Sequence, residues 1–355
     1  MNADDIRQTI ADHPDPETGR PIGKTRQLGD VTVDGKDVTV SLALTSHSRP
    51  IADDVVDAVT ARIQAAHPGT DVQVAITEHD RPPTRSGTSA LTVKSVIAVG
   101  SGKGGVGKST VATTLALALK SLGSRVGIMD ADVYGPSVPH LLGLTGRPAI
   151  DQDKRIQPIY ADGIPVMSMG FLLDPDQAVI WRGPMLHGSI NQFLGETDWG
   201  KLDYLIIDLP PGTGDVSLTL SQAVSISGAV VVCTPQEVAL LDAMKAVSMF
   251  RKVNIPIAGM VENMSGFQCP DCGKTFDIFG RGGARERAED MEVPFLGTLP
   301  IDPEVRTAGD DGLLVNLFAD GRPAAAPMVA IARSLVRGLA ARAAADPPKP
   351  SLPTL

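Results

Sequence analysis

The spacing of hydrophobic residues along the chain changes near residue 80. From Asp30 to Leu44, hydrophobic and polar residues alternate on both sides of Asp34-Gly35, which predicts a β-hairpin. Hydrophobic residues then recur at helical spacing from Ile51 to Ala66, and residues Thr70 to Thr77 alternate again. These elements predict a small α+β domain over residues 1–80.

A different pattern begins after residues 81–95, which are rich in Pro, Gly, Ser and Thr and are interpreted as a linker. Over residues 96–345, short runs that are hydrophobic throughout alternate with helical stretches, and residues 346–355 are interpreted as a tail. Strands without polar alternation are buried on both faces, which is typical of a parallel sheet covered by helices. The predicted strands are Val96–Val99, Val126–Met129, Tyr204–Ile207, Ala229–Cys233, Ile257–Val261 and Phe295–Gly297.

The composition is that of a folded globular protein, and it disfavours several classes of protein. Hydrophobic residues make up 43% of the chain, and the net charge of −9 disfavours general binding to nucleic acid. Three cysteines are too few for a disulfide framework, and no apolar run approaches the roughly 20 residues of a membrane span. The acidic N-terminus lacks the pattern of a signal peptide. We therefore expect a cytoplasmic protein without nucleic-acid or membrane partners.

A glycine-rich loop lies between the first strand of the second region and the helix that follows it. Residues Gly102 to Ser109 match G-x-x-x-x-G-K-[ST], in which backbone N–H groups and a helix N-terminus surround the phosphates of ATP. Lys108 is expected to bridge the β- and γ-phosphates, and the Ser109 hydroxyl to bind Mg²⁺. The residues expected to contact the nucleotide here are Gly102, Lys103, Gly104, Gly105, Val106, Gly107, Lys108, Ser109 and Thr110.

The same glycines also permit a dinucleotide interpretation, because Gly100, Gly102 and Gly105 spell G-x-G-x-x-G. Lys108 and Ser109 decide against it, since the pyrophosphate of NAD requires neither a lysine nor a metal-binding hydroxyl at these positions. The fold class predicted is therefore α/β, a P-loop NTPase domain with a mostly parallel sheet, preceded by the small α+β domain.

Two further predicted strands end in aspartates. Asp130 ends the second strand, with Asp132 two residues later, and Asp208 ends the third. An aspartate at the latter position typically contacts Mg²⁺ directly or through its water. Because the carboxyl ends of parallel strands meet at one edge of a sheet, these carboxylates are expected near the phosphate-binding loop.

The second lysine of the loop, Lys103, makes its form K-G-G-x-G-K-[ST], which resembles the deviant P-loop ATPases. The resemblance implies that Lys103 reaches across a homodimer to the partner's phosphates and acts in catalysis with Lys108. It also implies that Asp132 holds and polarises the attacking water, with Asp130 near the metal.

The same resemblance assigns residues that recognise the γ-phosphate and the adenine base. The segment P-P-G-T-G from Pro210 to Gly214 resembles the second switch loop, in which the N–H of Gly212 senses the γ-phosphate. Asn263 occupies the position of an asparagine that reads the adenine base.

Cys269 and Cys272 form a C-x-x-C motif in a loop after the strand Ile257–Val261. Tetrahedral zinc or a four-iron cluster needs about four ligands, and Cys233 is expected to be buried in a strand. One completion is a homodimer in which each chain contributes two thiolates across a two-fold axis. Zinc shared in the same way and a redox disulfide are the alternatives.

Six segments make a closer resemblance, to the Mrp/ApbC-type iron-sulfur cluster carriers, that covers about Val96 to Leu317. It implies a homodimer that binds ATP and Mg²⁺, hydrolyses ATP slowly, holds a 4Fe-4S cluster on Cys269 and Cys272 and passes it to apoproteins. The N-terminal domain resembles the small iron-sulfur maturation domain, although Arg49 stands where some members have a cysteine. The segments are K-G-G-V-G-K-S-T, D-A-D-V-Y-G-P-S, D-L-P-P-G-T-G-D, T-P-Q-E-V-A-L-L-D, N-M-S-G-F-Q-C-P-D-C-G and I-F-G-R-G-G-A.

An alternative function is that of a positioning or partitioning ATPase that binds a membrane or DNA, with structural zinc at the cysteine pair. The C-terminal helix carries Arg333, Arg337 and Arg342, as an interfacial anchor would. The helix is mostly alanine with few bulky apolar residues, so we favour the carrier.

Overall fold

The computed structural model describes residues 1–133, 135–172, 183–212 and 214–347. The chain divides into two compact units, one formed by Met1–Pro82 with residues 335–347, and the other by Pro83–Ser334. Thr213 of the predicted switch loop and most of the predicted tail over residues 346–355 lie outside the described residues, as does Tyr134.

The first unit is a three-stranded sheet packed against two helices. Strands β1 (Leu28–Asp34) and β2 (Asp37–Leu44) form an antiparallel hairpin, and β3 (Asp71–Glu78) runs parallel to β2. Helices α1 (Ala3–Ile10) and α2 (Ala52–Ala66) pack on this sheet. Hydrophobic side chains at alternate strand positions and on one helix face make the core, which includes Ile6, Ile10, Val40, Leu42, Val59 and Ile63.

The second unit is built on an eight-stranded sheet with the order β15-β12-β11-β4-β10-β5-β9-β8. Neighbouring strands in it are parallel except for β8 and β9, and β6 with β7 and β13 with β14 form separate antiparallel pairs. The strands are β4 (Val93–Gly100), β5 (Val126–Asp130), β6 (Ala149–Ile150), β7 (Ile156–Gln157), β8 (Ile159–Ala161), β9 (Ile164–Ser168), β10 (Leu202–Asp208), β11 (Gly228–Cys233), β12 (Ile257–Glu262), β13 (Phe267–Gln268), β14 (Thr275–Phe276) and β15 (Phe295–Thr298).

Helices pack against this sheet, which explains why its central strands are hydrophobic throughout. Every residue of β5, β10 and β11 is buried. The predicted α/β class with a mostly parallel sheet is confirmed, as are its six predicted strands, which correspond to β4, β5, β10, β11, β12 and β15. The helices are α3 (Lys108–Ser121), α4 (Val138–Leu141), α5 (Gly183–Glu196), α6 (Gly214–Ala223), α7 (Glu237–Lys252), α8 (Gly283–Asp290), α9 (Pro303–Asp310), α10 (Leu314–Ala319) and α11 (Ala326–Ala345).

One helical segment in the described part of the chain, Pro323–Ala345, is long and apolar enough to cross a membrane by length and composition. The core helix of a soluble protein passes the same test, and 33% of the most apolar window of this segment is buried. The segment is therefore weak support for a membrane partner.

The order of the strands brings the predicted site residues to one edge of the second unit. Strand β4 lies between β11 and β10, and β10 lies between β4 and β5. The carboxyl ends of these parallel strands therefore place the phosphate-binding loop, Asp130 and Asp208 side by side.

Candidate functional site

The phosphate-binding loop connects β4 to α3, which begins at Lys108. Gly105 and Gly107 have φ angles of +79° and +80°, in the left-handed region that glycine adopts without steric cost. Gly102 lies against α7, where an added Cβ would be 2.0 Å from the carbonyl oxygen of Asp242. The loop therefore requires glycine for its backbone turns and for its close approach to α7.

The ammonium group of Lys108 lies among carboxylates. Its Nζ is 2.5 Å from Oδ1 of Asp208 and 3.8 Å from Oδ2 of Asp132, and the side chain is only 6% exposed. The same Nζ donates a hydrogen bond of 3.2 Å to Oγ of Ser109. The charge of Lys108 thus offsets part of the negative charge at this edge of the sheet.

Asp130 and Asp208 are direct neighbours in the parallel register of β5 and β10, and both are completely buried. The carboxylate of Asp130 accepts hydrogen bonds from the N–H groups of Asp132 and Val138 and from the hydroxyl of Ser168, at 3.0–3.2 Å. Burial, followed by the nearby Asp208 carboxylate, raises the pKa of Asp130. These donors hold the Asp130 side chain in place at the carboxyl edge of the sheet, where it is buried beneath the protein surface.

Among the described residues, one carboxylate oxygen of Asp208 has no hydrogen-bond partner. Its Oδ1 accepts the hydrogen bond from Lys108, whereas Oδ2 is buried and accepts none from the described residues. Burial raises the pKa of Asp208, and the charge of Lys108 opposes that effect. A buried carboxylate oxygen without a donor, near the hydroxyl of Ser109, suits Mg²⁺, which prefers oxygen ligands. The residues present therefore fit the metal that accompanies ATP.

Asp132 lies just beyond β5 and is also buried. Its Oδ1 accepts the N–H of Gly135 at 3.2 Å, while Oδ2 faces Lys108. Asp132 is thus close to Lys108 of the phosphate-binding loop, and its role toward a water molecule stays a prediction.

The predicted switch loop after β10 lies on the phosphate-binding loop. The N–H of Gly212 donates to the carbonyl of Ser101 at 3.0 Å, and Gly212 has a φ of +69°. The N–H group that the family resemblance assigns to the γ-phosphate is therefore bonded to the phosphate-binding loop itself. A shift of either loop acts on the other through this bond.

Lys103 is half-buried in the same loop, and its carbonyl accepts the hydroxyl of Ser101 at 2.8 Å. Within the described ranges no carboxylate forms an ion pair with its ammonium group. Its action on a partner's phosphates stays a prediction.

Asn263 follows β12 and contacts the phosphate-binding loop. Its Nδ2 donates to the carbonyl of Val106 at 2.9 Å, and a Cβ on Gly107 would lie 2.3 Å from this nitrogen. A mostly apolar cleft opens beside it, which suits a flat base. Contact with adenine stays a prediction. The residues that line the cleft include Thr110, Thr114, Asn263, Leu299, Pro300 and Phe318.

Cys269 and Cys272 lie between the two strands of the β13–β14 hairpin. The N–H of Cys269 donates to the carbonyl of Lys274, and the N–H of Gly273 donates to that of Cys269, at 3.0 and 2.9 Å. Both thiols are free, with Cys269 half-buried and Cys272 exposed. Hydrogen bonds from the backbone N–H groups of Cys272 and Asp271 lower the pKa of Cys269.

The third cysteine is separate from this pair. Cys233 is buried in β11, its Sγ donates to the carbonyl of Val261 at 3.7 Å, and burial raises its pKa to about 12. Its predicted burial is confirmed. No group of three or more His, Cys, Asp or Glu side chains that could hold a metal occurs within residues 1–133, 135–172, 183–212 and 214–347.

Sequence analysis missed two buried polar residues at this edge, Ser168 and Glu262. Glu262 ends β12 and is completely buried. Its signal in the sequence is the same as that of Asp208, an acidic residue directly after a hydrophobic strand. Ser168 has no comparable signal, because β9 was not predicted.

Two family models match the chain. The model described as NUBPL iron-transfer P-loop NTPase matches residues 92–336, and the model described as iron-sulfur cluster assembly protein matches residues 3–76.

Similar proteins include two with related names. The iron-sulfur cluster carrier protein of Deinococcus radiodurans is 45% identical over 344 residues, which cover 96% of each chain. The iron-sulfur cluster transfer protein NUBPL of Mus musculus is 48% identical over 249 residues, which cover 70% of this chain and 78% of that protein.

Solved structures similar to the chain include the following two. A nucleotide-binding protein from Archaeoglobus fulgidus, in complex with ADP, is 43% identical with a TM-score of 0.56 and covers 63% of this chain and 88% of its own. The cell division ATPase MinD of Pyrococcus furiosus, at 23% identity and a TM-score of 0.50 over 68% of this chain and 97% of its own, shows a likeness of fold alone.

Proposed function

The chain belongs to the iron-transfer P-loop NTPase family, and from this membership we propose that it carries an iron-sulfur cluster on its cysteine pair and delivers it to apoproteins. The observation that carries the proposal is the hairpin with Cys269 and Cys272, two free thiols of which one is exposed. The lowered pKa of Cys269 supports it, because the thiolate is the form that binds iron.

The number of ligands supports a cluster shared by two subunits. A 4Fe-4S cluster is held by four cysteine thiolates. The hairpin supplies two, and the described residues contain no group of three or more His, Cys, Asp or Glu side chains that could hold a metal. A homodimer with a two-fold axis at the hairpin supplies four equivalent thiolates.

The exposure of Cys272 at the hairpin tip also supports transfer. Each thiolate of the carrier is replaced on iron by a thiolate of the acceptor, so iron–sulfur bonds form and break in equal number without oxidation or reduction. A pair at an exposed hairpin tip leaves room for the acceptor's cysteines to approach. The partners we propose are therefore a second copy of this chain and apoproteins in the cytoplasm, with neither nucleic acid nor a membrane.

ATP is the proposed substrate of the edge formed by the phosphate-binding loop and the carboxylates. Backbone N–H groups of the loop and Lys108 bind its phosphates, and Lys108 must then leave Asp208, which frees a carboxylate oxygen. Ser109 and Asp208 would hold Mg²⁺, which neutralises phosphate charge when bound. Asp132 orients the attacking water, and Lys103 of the partner subunit adds positive charge.

Anaerobic reconstitution with iron and sulfide tests the carrier function. We expect the wild-type protein to gain iron-sulfur absorbance and to activate an apoprotein, and the double variant Cys269→Ser, Cys272→Ser to lose both. Cys233→Ser is the matched control and retains both, because Cys233 is buried in β11. A double variant that keeps its cluster refutes the carrier proposal. Zinc in place of iron in protein purified without oxygen favours structural zinc instead.

A further inference from the structure

A buried carboxylate occupies the carboxyl end of β12, on the edge of the sheet where the nucleotide residues lie. Oε1 of Glu262 accepts the hydroxyl of Ser265 at 2.5 Å and the N–H of Gly282 at 2.8 Å, and Oε2 accepts the N–H of Ala284 at 2.8 Å. Gly282 is the N-cap of α8, and Ala284 lies in its first turn. Unpaired N–H groups and the helix dipole at this end both stabilise a negative charge.

These contacts close the segment that carries the cysteine pair. Ser265 lies where the chain leaves β12, and Gly282 and Ala284 lie where it returns. Cys269 and Cys272 are on the hairpin between them. One side chain therefore holds both ends of the segment together at its base.

The same strand end contacts the nucleotide side of the edge. Asn263, the next residue, donates to the carbonyl of Val106 in the phosphate-binding loop. The carbonyl of Glu262 accepts the N–H of Leu299 at 2.8 Å, and both Leu299 and Asn263 line the cleft beside α3. A ligand that shifts the loop or fills the cleft thus acts on residues bonded to Glu262.

From this arrangement we infer that Glu262 is a positioning residue that transmits nucleotide occupancy to the cysteine hairpin. The inference rests on the proposed nucleotide site and adds to it a physical connection with the cysteine pair. The connection requires a carboxylate, because both of its oxygens accept N–H donors of α8. Glutamine offers one acceptor oxygen, and its amide nitrogen would face a donor in either orientation. Glu262→Gln therefore loosens the base of the segment while Asn263 and both cysteines remain.

Thiol alkylation in the full-length protein tests the inference without any cluster. The rates at which a maleimide modifies Cys269 and Cys272 are measured by mass spectrometry with and without ADP and Mg²⁺, and binding of ADP is measured separately. Coupling between two binding sites typically changes affinity by about 5- to 150-fold, and we take the lower figure, about fivefold, as the smallest change expected in the wild-type alkylation rates. We define the alkylation ratio as the change in rate that ADP and Mg²⁺ produce. In Glu262→Gln, which is expected still to bind ADP, this change is expected to be no more than about twofold.

Glu289→Gln is the matched control, because it makes the same substitution at an exposed position of α8 and is expected to keep the wild-type ratio. A Glu262→Gln variant that binds ADP and keeps the wild-type ratio overturns the inference, as do wild-type rates that ADP leaves unchanged. Absence of ADP binding in the wild type overturns the proposed ATPase site and the inference with it. Loss of cluster binding alone leaves the alkylation result valid, so the failures are distinguishable.

Two further measurements apply if Glu262→Gln does not fold. Ser265→Ala removes one donor to the carboxylate and is expected to reduce the alkylation ratio in the same direction. In the wild type, ADP is expected to change hydrogen exchange at Gly282 and Ala284 by about fivefold or more. Unchanged exchange at both positions overturns the inference.

Discussion

Cys269 and Cys233 show how the surroundings of one residue type produce opposite chemistry. Backbone N–H groups of the hairpin turn point at the sulfur of Cys269 and lower its pKa. Cys233 lies in the interior of β11, where burial raises its pKa to about 12 because a charged thiolate is poorly solvated there. Cys269 is therefore the better metal ligand and nucleophile.

This difference predicts the pH dependence of alkylation. We expect the rate for Cys269 with iodoacetamide to reach half its maximum at a lower pH than the rate for an unstructured cysteine peptide. The reason is that the thiolate is the reactive form, and a lowered pKa increases its fraction at every pH below the plateau. Cys233 should remain unmodified in the folded protein between about pH 6 and 9. Mass spectrometry of each cysteine-containing peptide measures the rates, and a Cys269 midpoint at or above that of the peptide contradicts the prediction.

At the scale of elements, the conformation of the phosphate-binding loop depends on contacts with other elements as well as on hydrogen bonds within the loop. Gly102 is packed against α7, Gly107 lies against Asn263, and the carbonyl of Ser101 accepts the N–H of Gly212. Gly102 is required because the backbone of α7 comes too close for a side chain, and Gly105 and Gly107 because their φ angles are positive.

Two alanine substitutions in the loop test whether the close contact between Gly102 and α7 is needed. In Gly102→Ala the Cβ would lie 2.0 Å from the carbonyl oxygen of Asp242, so the loop or α7 must move. We expect the free energy of unfolding to fall by about 1–3 kcal/mol, as is typical of overpacking, and ATP to bind more weakly. For the free energy of unfolding, Gly104→Ala is the matched control, since its Cβ would lie 4.0 Å from Cγ of Pro211 and so in ordinary contact.

Urea denaturation and calorimetric titration with ATP and Mg²⁺ measure the two effects. If the Gly102→Ala and Gly104→Ala variants unfold at the same denaturant concentration and bind ATP equally, the contact between the loop and α7 is unimportant.

At the scale of the whole molecule, the number of cysteines connects cluster binding to assembly. Each chain presents one pair of thiols at the hairpin, and a 4Fe-4S cluster uses two such pairs. In the proposed homodimer the cluster is then itself part of the contact between subunits.

Cluster loading is therefore expected to change the mass of the particle. Light scattering of the loaded protein should give a mass near twice the 37.1 kDa of the chain, and removal of iron with a chelator without nucleotide should lower it. The double variant Cys269→Ser, Cys272→Ser should show no change on either treatment. Fully loaded protein that remains at 37.1 kDa would exclude the shared cluster.

Local patterns in the sequence were sufficient for the main features of both units. Six strands of the large sheet, the phosphate-binding loop and the burial of Cys233 were predicted because each depends on residues adjacent in the chain. Strand β9 was missed because it contains Pro165, which obscures a strand pattern. The resemblance to iron-sulfur cluster carriers is confirmed by the family model and the relatives.

The sequence by itself determined six strands of the large sheet, the glycine-rich loop and the cysteine pair. Each of these is recognised from the spacing of residues that are close together along the chain. Only the tertiary structure decided which of these groups meet. The ion pair of Lys108 with Asp208 and the bonds from Glu262 to the start of α8 join residues that are distant along the chain. These contacts depend on strand order, which brings the residues together, and on burial, because a buried carboxylate requires a hydrogen-bond donor or a cation. The spacing of residues along the chain does not specify which donor or cation that is.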